Sequence, residues 1–344
     1  MDYQNIKVYE PVGFFRAVAR DVLRGRWAIM LLAAFLYLLL TDLPPVIFTE
    51  LFGVPLDFNQ LYESLGEAAD PIVKEIWSDP IYSGYKYPSA LSGIYSILVS
   101  GPLSLGFSIF CIFIVRRAEA GVSLIFSGFT NFLKALGVTV IVALLCLACF
   151  LIPIIPAVLI GMGGGESFWM ALLVFYLLMH VAIVFMIIIS LRYSMVYFIL
   201  ADQPGIGTIE CLKKSATMMR GNNGKLFILF LSFIGWYLLS VLGSFICGGI
   251  IGAIGSVFSI GVYTGGSQVI YTVIGALMMT PVTGYVYTAW TAFYEKVAGH
   301  AVGMPNFNLN ENQRPTTPDN QNSYFNFDNN ENSMLDNNKD GYNR

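Results

Sequence analysis

Six long apolar stretches constrain the fold of this 344-residue chain more than any other feature. Each is about 20 residues or longer, the length at which an α-helix crosses the ~30 Å hydrocarbon core of a bilayer. The spans are predicted at about residues 27–48, 91–115, 135–160, 168–191, 226–247 and 269–293. The predicted fold is therefore all-α: a polytopic membrane protein with about six transmembrane helices and in-plane amphipathic elbow helices at its cytoplasmic face.

The composition agrees with a membrane protein and argues against a soluble or nucleic-acid-binding one. Hydrophobic residues make up 56% of the chain and charged residues only 12%, whereas soluble domains carry roughly 25% charged residues. A soluble chain of this length could not bury so much apolar surface, but lipid can cover it. The formal net charge of −3 argues against nucleic acid as a partner.

The Lys and Arg residues are confined to alternate gaps between the spans. The N-terminal segment has five, the gap after the second span three, the gap after the fourth five and the C-terminal tail four, so only Lys74 and Lys86 lie elsewhere. Cytoplasmic segments of membrane proteins carry this excess. We therefore expect residues 1–26 to be a cytoplasmic N-terminus, 27–297 to be a six-span membrane domain and 303–344 to be a cytoplasmic tail.

Two segments on the predicted outer side allow alternative interpretations. The outer loop 49–90 carries seven acidic residues and could recognise a cation, although a solvated loop with one or two short helices is the favoured interpretation. Residues 248–268 are uncharged and rich in glycine. They could form a re-entrant loop, but a helix extension followed by an outer turn is favoured.

The tail differs sharply in composition from the membrane domain. Residues 303–344 contain 13 Asn and few branched aliphatic side chains, so they cannot bury enough apolar surface to offset the entropy of ordering. Two short apolar islands, at 306–309 and 324–327, could dock on protein partners. A simple low-complexity, disordered tail is the favoured alternative.

Three segments that each precede a pair of spans are predicted to be amphipathic elbow helices. In residues 14–24, Phe15, Val18 and Val22 form an apolar stripe along one face of the helix. Residues 209–220 have a similar apolar stripe. Residues 123–132 show a weaker form of the same pattern. The basic side chains would face anionic lipid headgroups. The candidate headgroup contacts are Arg16, Arg20, Arg24, Lys213, Lys214 and Arg220.

Catalytic and metal-binding patterns are not found in the sequence. His180 is the only acidic or basic side chain in the central portions of the spans, which makes it a candidate intramembrane polar site. A neutral His that hydrogen-bonds across a helix interface is favoured over a proton relay or metal ligand. No catalytic residue, metal ligand or cofactor is assigned, and we expect a protein that is not an enzyme.

The most distinctive local pattern runs from residue 200 to residue 236. Pro204-Gly205 fits the centre of a type II turn, and Trp236 is expected to pack on a neighbouring Gly or Ala. The candidate structural motif consists of Asp202, Pro204, Gly205, Gly221 and Trp236.

Together with Arg24-Gly25-Arg26-Trp27, Gly101-Pro102-Leu103-Ser104-Leu105-Gly106, Pro281 and Ala292-Phe293-Tyr294, this pattern resembles the bacterial membrane-protein family catalogued as domain of unknown function 975. The resemblance covers roughly residues 12–297 and implies a polytopic protein of the bacterial plasma (inner) membrane. It brings no established activity or substrate.

The leading functional expectation is a scaffold, assembly factor or regulator that acts through lipids or protein partners. Its basic elbows would contact anionic headgroups and its tail would contact proteins. The alternative is a transporter or permease for a small molecule or lipid, built on the polar and proline-kinked parts of spans two, three and six.

Overall fold

The computed structural model describes residues 6–55, 86–161, 166–257 and 265–300. These residues are helical apart from connecting turns, the short N-terminal segment and one pair of two-residue strands. The α-helices are α1 Val12–Leu23, α2 Trp27–Phe52, α3 Ala90–Val115, α4 Phe132–Gly161, α5 Glu166–Arg192, α6 Val196–Asp202, α7 Thr208–Met218, α8 Asn223–Leu231, α9 Ile234–Val257 and α10 Gly265–Val297, and a 3-10 helix covers Val122–Asn131.

Six segments of the described chain are long and apolar enough to cross a membrane, which confirms the predicted number of spans. They are Trp27–Phe52, Ala90–Val115, Val122–Ile160, Leu173–Asp202, Asn223–Ala253 and Gln268–Val297. The first span was predicted to end near residue 48, whereas α2 contains Pro44 and Pro45 and continues to Phe52. Proline is tolerated inside a transmembrane helix because neighbouring groups satisfy the freed backbone.

The fifth span is longer than predicted and is interrupted. Helix α8 ends at Leu231 and α9 begins at Ile234. Helix α9 then continues through much of the glycine-rich segment to Val257, and α10 begins at Gly265. The favoured helix extension is therefore observed for these residues, while residues 258–264 lie outside the described part of the chain.

Helix α3, the second span, is the centre of the bundle. In its apolar window 61% of the residues are buried, against 6% to 33% in the other five spans. Glycines let neighbouring backbones come close to it: a Cβ placed on Gly106 would lie 1.8 Å from the Ile125 carbonyl oxygen, and one on Gly128 would lie 1.9 Å from the Pro102 carbonyl oxygen. The first contact explains the glycine at the end of the Gly-Pro-Leu-Ser-Leu-Gly motif, and at its start a Cβ on Gly101 would lie 2.9 Å from the Ala135 carbonyl oxygen.

Aromatic side chains join α2, α3 and α10 in the middle of the bundle. The ring of Tyr37 stacks on Phe107 at 4.6 Å, and Tyr287 packs against Phe107 edge-on at 4.9 Å. The hydroxyl of Tyr37 lies 3.2 Å from that of Ser104 and 3.4 Å from that of Tyr287. Buried polar tips in the spans thus find partners on neighbouring helices.

The predicted order of elbow, span, span recurs three times along the chain. The first two elbows are α1 and the 3-10 helix Val122–Asn131, and α7 is the third. The middle elbow was expected to be an α-helix over 123–132. Its tighter 3-10 form accompanies the close backbone contact between Ile125 and Gly106, since a 3-10 turn is slimmer than an α-turn.

At the end of the bundle opposite α1 and α7, the two short strands pair with each other on either side of residues 56–85, most of the predicted outer loop. Val54 pairs with Tyr87 and Pro55 with Lys86 in antiparallel register, and Lys86 forms an ion pair with Glu50 at 3.1 Å. Residues 56–85 and the predicted tail 303–344 lie outside the described residues, so the interpretations of the outer loop and of the Asn-rich tail stay predictions.

Candidate functional site: the basic end

The segments richest in Lys and Arg meet at one end of the helix bundle. The guanidinium of Arg26 donates to the carbonyls of Arg117 and of the following residue at 3.0 and 3.1 Å. Arg117 also pairs with Asp21 of α1 at 2.6 Å, and Lys134 donates to the Pro204 carbonyl. We call the surface formed by residues 6–26, 116–134, 192–225 and 296–300 the basic end.

A buried Asn fixes the N-terminal segment to this surface. The Oδ1 atom of Asn222 accepts from the Val8 amide at 3.0 Å, and its Nδ2 atom donates to the carbonyls of Ile6 at 2.8 Å and Met218 at 2.9 Å. The side chain is fully buried. Because all of these groups would be costly to leave unpaired, Asn222 holds residues 6–8 against the turn that follows α7.

Glu10 adds an ion pair with the end of the sixth span. Its Oε1 lies 2.6 Å from Nζ of Lys296. Burial works to raise the pKa of Glu10, but the hydrogen bond and positive charge of Lys296, together with hydrogen bonds from the backbone amides of Glu10 and Tyr9, outweigh it, so the pKa lies below its ordinary value. Glu10 is therefore held as a carboxylate, and it ties the start of α1 to the end of α10.

Three charged side chains from three helix ends converge at the basic end. Nη2 of Arg116 lies 2.9 Å from Oδ1 and 3.1 Å from Oδ2 of Asp202, and its Nε donates to Oε1 of Glu295 at 2.9 Å. Arg116 follows the last residue of α3, where a cation also interacts favourably with the helix dipole. The Glu295 side chain is fully buried, so Arg116 is its counter-charge.

Tyr294 and His300 complete this group. The Tyr294 hydroxyl donates to Oδ2 of Asp202 at 2.5 Å, and Nδ1 of His300 lies 3.0 Å from Oε2 of Glu295. We call these five residues, Arg116, Asp202, Tyr294, Glu295 and His300, the ion-pair cluster. It links the ends of α3, α6 and α10 through bonds that need all three ends in place.

The cluster keeps Arg116 charged despite its burial. Burial alone would lower the pKa of Arg116, but the attraction and hydrogen bonds of Glu295 and Asp202 outweigh it, and the pKa is raised. Both carboxylates are engaged by the same guanidinium. The arrangement is suited to holding helix ends together, and its acids point at Arg116 rather than at an open cleft.

A cavity of about 190 Å³, whose surface is mostly apolar, lies next to the cluster, further into the membrane-spanning part. Phe198 forms part of its wall and stacks on Tyr294 of the cluster at 5.3 Å. Nε1 of Trp290, another lining residue, is buried and has no hydrogen-bond partner among the described residues. The remaining lining residues all carry a hydroxyl group: Ser104, Ser108, Ser190, Tyr193, Ser194, Tyr197 and Tyr287.

The cavity borders an interruption in the fourth span. Helix α5 ends at Arg192 and α6 begins at Val196. The Arg192 carbonyl accepts a hydrogen bond from the Ser215 hydroxyl at 3.0 Å, and the Val196 carbonyl accepts one from the Cys211 thiol at 3.3 Å. Both donors lie on α7, so this elbow satisfies backbone groups at the interruption.

A known protein family matches most of this chain. Residues 15–301 match the model of the family described as "Protein of unknown function (DUF975)". The chain belongs to this family. No curated protein and no solved structure matches the chain. The resemblance predicted from the sequence motifs is thereby confirmed, and the match includes all five members of the ion-pair cluster.

In this DUF975 protein the apolar stripe of the first elbow is covered by protein, whereas an in-plane helix was predicted to face lipid. Phe15, Val18 and Val22 are buried within the protein, and the Phe15 ring lies 5.2 Å from that of Phe293 on α10. The stripe is therefore covered by the sixth span rather than by acyl chains. The three arginines differ in exposure: Arg20 and Arg24 are exposed, whereas Arg16 is partly buried.

The basic residues of the third elbow are also not equivalent. Lys213 is exposed. Lys214 donates to Oε1 of Gln203 at 2.9 Å and lies 3.7 Å from Glu210, so part of its charge is used inside the protein. Arg220 is exposed. The best-placed predicted headgroup contacts are thus Arg20, Arg24, Lys213 and Arg220.

The predicted structural motif includes Asp202 and the Pro204-Gly205 turn. Asp202 is a member of the ion-pair cluster. Pro204 and Gly205 do form a turn, closed by the Ile206 amide on the Gln203 carbonyl at 3.1 Å. However, φ of Gly205 is not positive, so the predicted type II turn is wrong, and a type I turn fits.

Gly221, Trp236 and His180 were predicted for separate reasons. Gly221 has φ +85° and Gly25 has φ +75°, which explains glycine where these two elbows end. Trp236 is 52% exposed on the outside of the bundle, in contrast to the expected packing, because lipid can cover it. His180 is also exposed, and its Nδ1 bonds the Tyr176 carbonyl of its own helix at 2.7 Å rather than a neighbouring helix.

The sequence interpretation missed the rest of the ion-pair cluster. Arg116 was counted only as part of the charge asymmetry, and the predicted sixth span ended at residue 293, which left Glu295 outside it. One signal was present: an acid two residues beyond an apolar span on the strongly basic side. An acid in that position needs a cation, and Arg116 is one of several that the sequence offers.

Proposed function

We propose that this DUF975 protein is a non-enzymatic scaffold, assembly factor or regulator of the bacterial cell membrane, with both termini in the cytoplasm. The observation that supports this most is that exposed basic side chains lie on a helix that is packed against the rest of the protein. Arg20 and Arg24 project outward from a helix whose opposite face is buried against α10. A basic surface with a fixed frame suits recognition of anionic headgroups or of an acidic partner surface.

A structural role for the ion-pair cluster favours the same proposal. Its acids are bonded to Arg116, which leaves them poorly placed to act as a general acid or base on a substrate. Its position beneath the elbows supports a role in holding the basic end in one shape.

Lipid recognition is tested with charge-reversed protein. The double variant Arg20→Glu/Arg24→Glu and the charge-retaining control Arg20→Lys/Arg24→Lys are purified, and bound phosphatidylglycerol and phosphatidylethanolamine are counted by native mass spectrometry. Each exposed cation near an anionic surface contributes about 1 kcal/mol, so charge reversal should weaken phosphatidylglycerol retention about tenfold or more. Equal retention by both variants would contradict the headgroup proposal.

Partner recognition is tested separately with the tail. Full-length protein and a form lacking residues 303–344 are purified by affinity from membranes, and bound proteins are identified by mass spectrometry. The proposal expects proteins that co-purify with the full-length form and are lost with the tail. If both forms are purified alone, the scaffold proposal fails.

The alternative function, a small-molecule or lipid transporter, is favoured by one observation. The cavity, with its hydroxyl-bearing lining, lies beside an interrupted helix within the fourth span, and transporter sites are often formed by discontinuous helices. Uptake of labelled solutes or scrambling of labelled lipids in proteoliposomes tests it. Transport that is altered by substitutions at His180, Pro102 or Pro281 would favour this alternative over a scaffold.

A further inference from the structure

The cavity beside the fourth span has several polar groups that the protein itself does not satisfy. Nε1–H of Trp290 is buried without a hydrogen-bond partner among the described residues, and this donor can pair only with an acceptor. Ser190 and Tyr193 also line the cavity, and their hydroxyls make no hydrogen bond to other described residues. An unmade bond to a buried N–H is costly, so a ligand that supplies an oxygen acceptor here would bind favourably.

Other lining groups are already positioned by the protein. The Tyr197 hydroxyl lies 2.8 Å from that of Thr139, and the Ser108 hydroxyl donates to the Ser104 carbonyl at 2.8 Å. The Ser194 hydroxyl donates to the Leu191 carbonyl at 2.8 Å. These hydroxyl oxygens can still accept hydrogen bonds. The wall therefore offers fixed acceptors together with the free donor of Trp290.

The lining residues of the cavity exclude charged ligands, and the volume of the cavity indicates the size of the ligand. None of the residues around the cavity is acidic or basic, and an ion buried without a counter-charge would be strongly unfavourable. A volume of about 190 Å³ is somewhat larger than the ~150 Å³ cavity that accommodates benzene. A single six-membered ring with hydroxyl groups fits this volume.

The cavity is reached at the surface of the bundle. Ser190 is exposed on α5, and it lies two residues before the interruption of the fourth span. Irregular backbone at membrane depth is tolerated where it lines a cavity. Entry from the lipid side near Ser190 would admit a headgroup as well as a free solute.

We propose that the cavity lined by Ser190, Tyr193 and Trp290 binds an uncharged polyhydroxy ring, such as a monosaccharide or the sugar headgroup of a glycolipid. Trp290 donates to a ring or hydroxyl oxygen, the serine and tyrosine hydroxyls pair with the remaining hydroxyls, and the aromatic faces cover the apolar side of the ring. This site goes beyond the function proposed for the basic end. A protein without lipid contacts at Arg20 and Arg24 could still have it.

The test uses full-length protein in phosphatidylcholine nanodiscs prepared without glycoside detergents. One arm titrates free glucose and myo-inositol and follows them by saturation-transfer NMR. The other arm adds glucosyl-diacylglycerol and measures its retention by native mass spectrometry. A response in the first arm indicates a free solute, and a response confined to the second indicates a lipid headgroup.

Matched variants connect binding to the cavity. Trp290→Phe keeps an aromatic ring but removes the N–H, and Ser190→Ala removes one hydroxyl, whereas Trp236→Phe makes the same aromatic change on the outer surface. Trp290→Phe should weaken binding about tenfold, as expected when a ligand loses its hydrogen bond to a buried group. Ser190→Ala, at an exposed position, should weaken binding less, and Trp236→Phe should leave it unchanged. Thermal unfolding of each variant verifies folding. Absence of saturable binding in both arms, or equal binding by Trp290→Phe and wild type, would overturn the proposal.

Discussion

Arg116 lies where the second span ends, and its guanidinium joins carboxylates from two other helix ends. Its neighbour Glu295 is fully buried, and such an acid is stable as an anion only beside a counter-charge. Replacing a buried pair by apolar residues is often tolerated, whereas removing one partner leaves the other charge uncompensated. The cluster is therefore expected to matter most when it is broken on one side only.

The difference between removing one charge and removing both gives a prediction at the residue scale. Arg116→Leu should destabilise the protein by about 3–5 kcal/mol, and the double variant Arg116→Leu/Glu295→Leu should recover part of that loss. Arg20→Leu serves as the control, since substitution of an exposed side chain usually changes stability by about 0.5 kcal/mol or less. Denaturant titration in nanodiscs measures all three. Equal stability of Arg116→Leu and Arg20→Leu would show that the cluster does not hold the helix ends.

Glu10 gives a prediction about pH. Its pKa is lowered in the folded protein, so the stability that it contributes is complete above its ordinary pKa and is lost as the pH falls through the lowered value, below about pH 4. The amide of Val8, which is bonded to Asn222, should then lose protection from hydrogen exchange. In Glu10→Gln this acid-dependent loss should be absent. Protection that falls equally in both proteins would assign the effect to another group.

At the scale of elements, the fold depends on how closely backbones approach the second span. In α3 the same residue type occupies two different environments. Gly106 faces the Ile125 carbonyl of the middle elbow, whereas a Cβ on Gly93 would meet nothing within 4 Å. Gly106 is thus needed for space, while Gly93 is not.

The two glycines form a matched pair of variants. Gly106→Ala should displace the 3-10 helix Val122–Asn131 and lower the unfolding temperature, because the added methyl would overlap backbone that has no room to move. Gly93→Ala should be neutral or slightly stabilising, since alanine favours helix over glycine by about 1 kcal/mol. Thermal unfolding compares them. A neutral Gly106→Ala would mean that the elbow is not packed as described.

The same elements show what could be predicted from sequence. The six spans follow from length and hydropathy, and Gly25 and Gly221 follow from the need for positive φ at helix ends. The slim 3-10 form of the middle elbow could not be predicted, because it accompanies contact with a helix that precedes it in the chain. The partners of Glu295 could not be predicted either, since they depend on how three helix ends pack.

At the scale of the whole molecule, the segments that are basic in sequence are also the ones that pack together. The segments that carry the basic residues along the sequence are bonded to one another at one end of the bundle, as the contacts of Arg26, Asn222 and Lys134 show. The paired strands Val54–Pro55 and Lys86–Tyr87 flank the predicted outer loop. We propose that the basic end is a single surface on the cytoplasmic side of the membrane.

Labelling with a membrane-impermeant maleimide tests this claim most directly. In a variant whose five native cysteines are replaced by alanine, single cysteines are introduced as Arg20→Cys, Lys213→Cys or Tyr87→Cys at exposed positions. We predict that Tyr87→Cys is labelled in intact cells, while Arg20→Cys and Lys213→Cys are labelled only after permeabilisation. Labelling of either basic position in intact cells, or opposite behaviour of the two, would contradict the account.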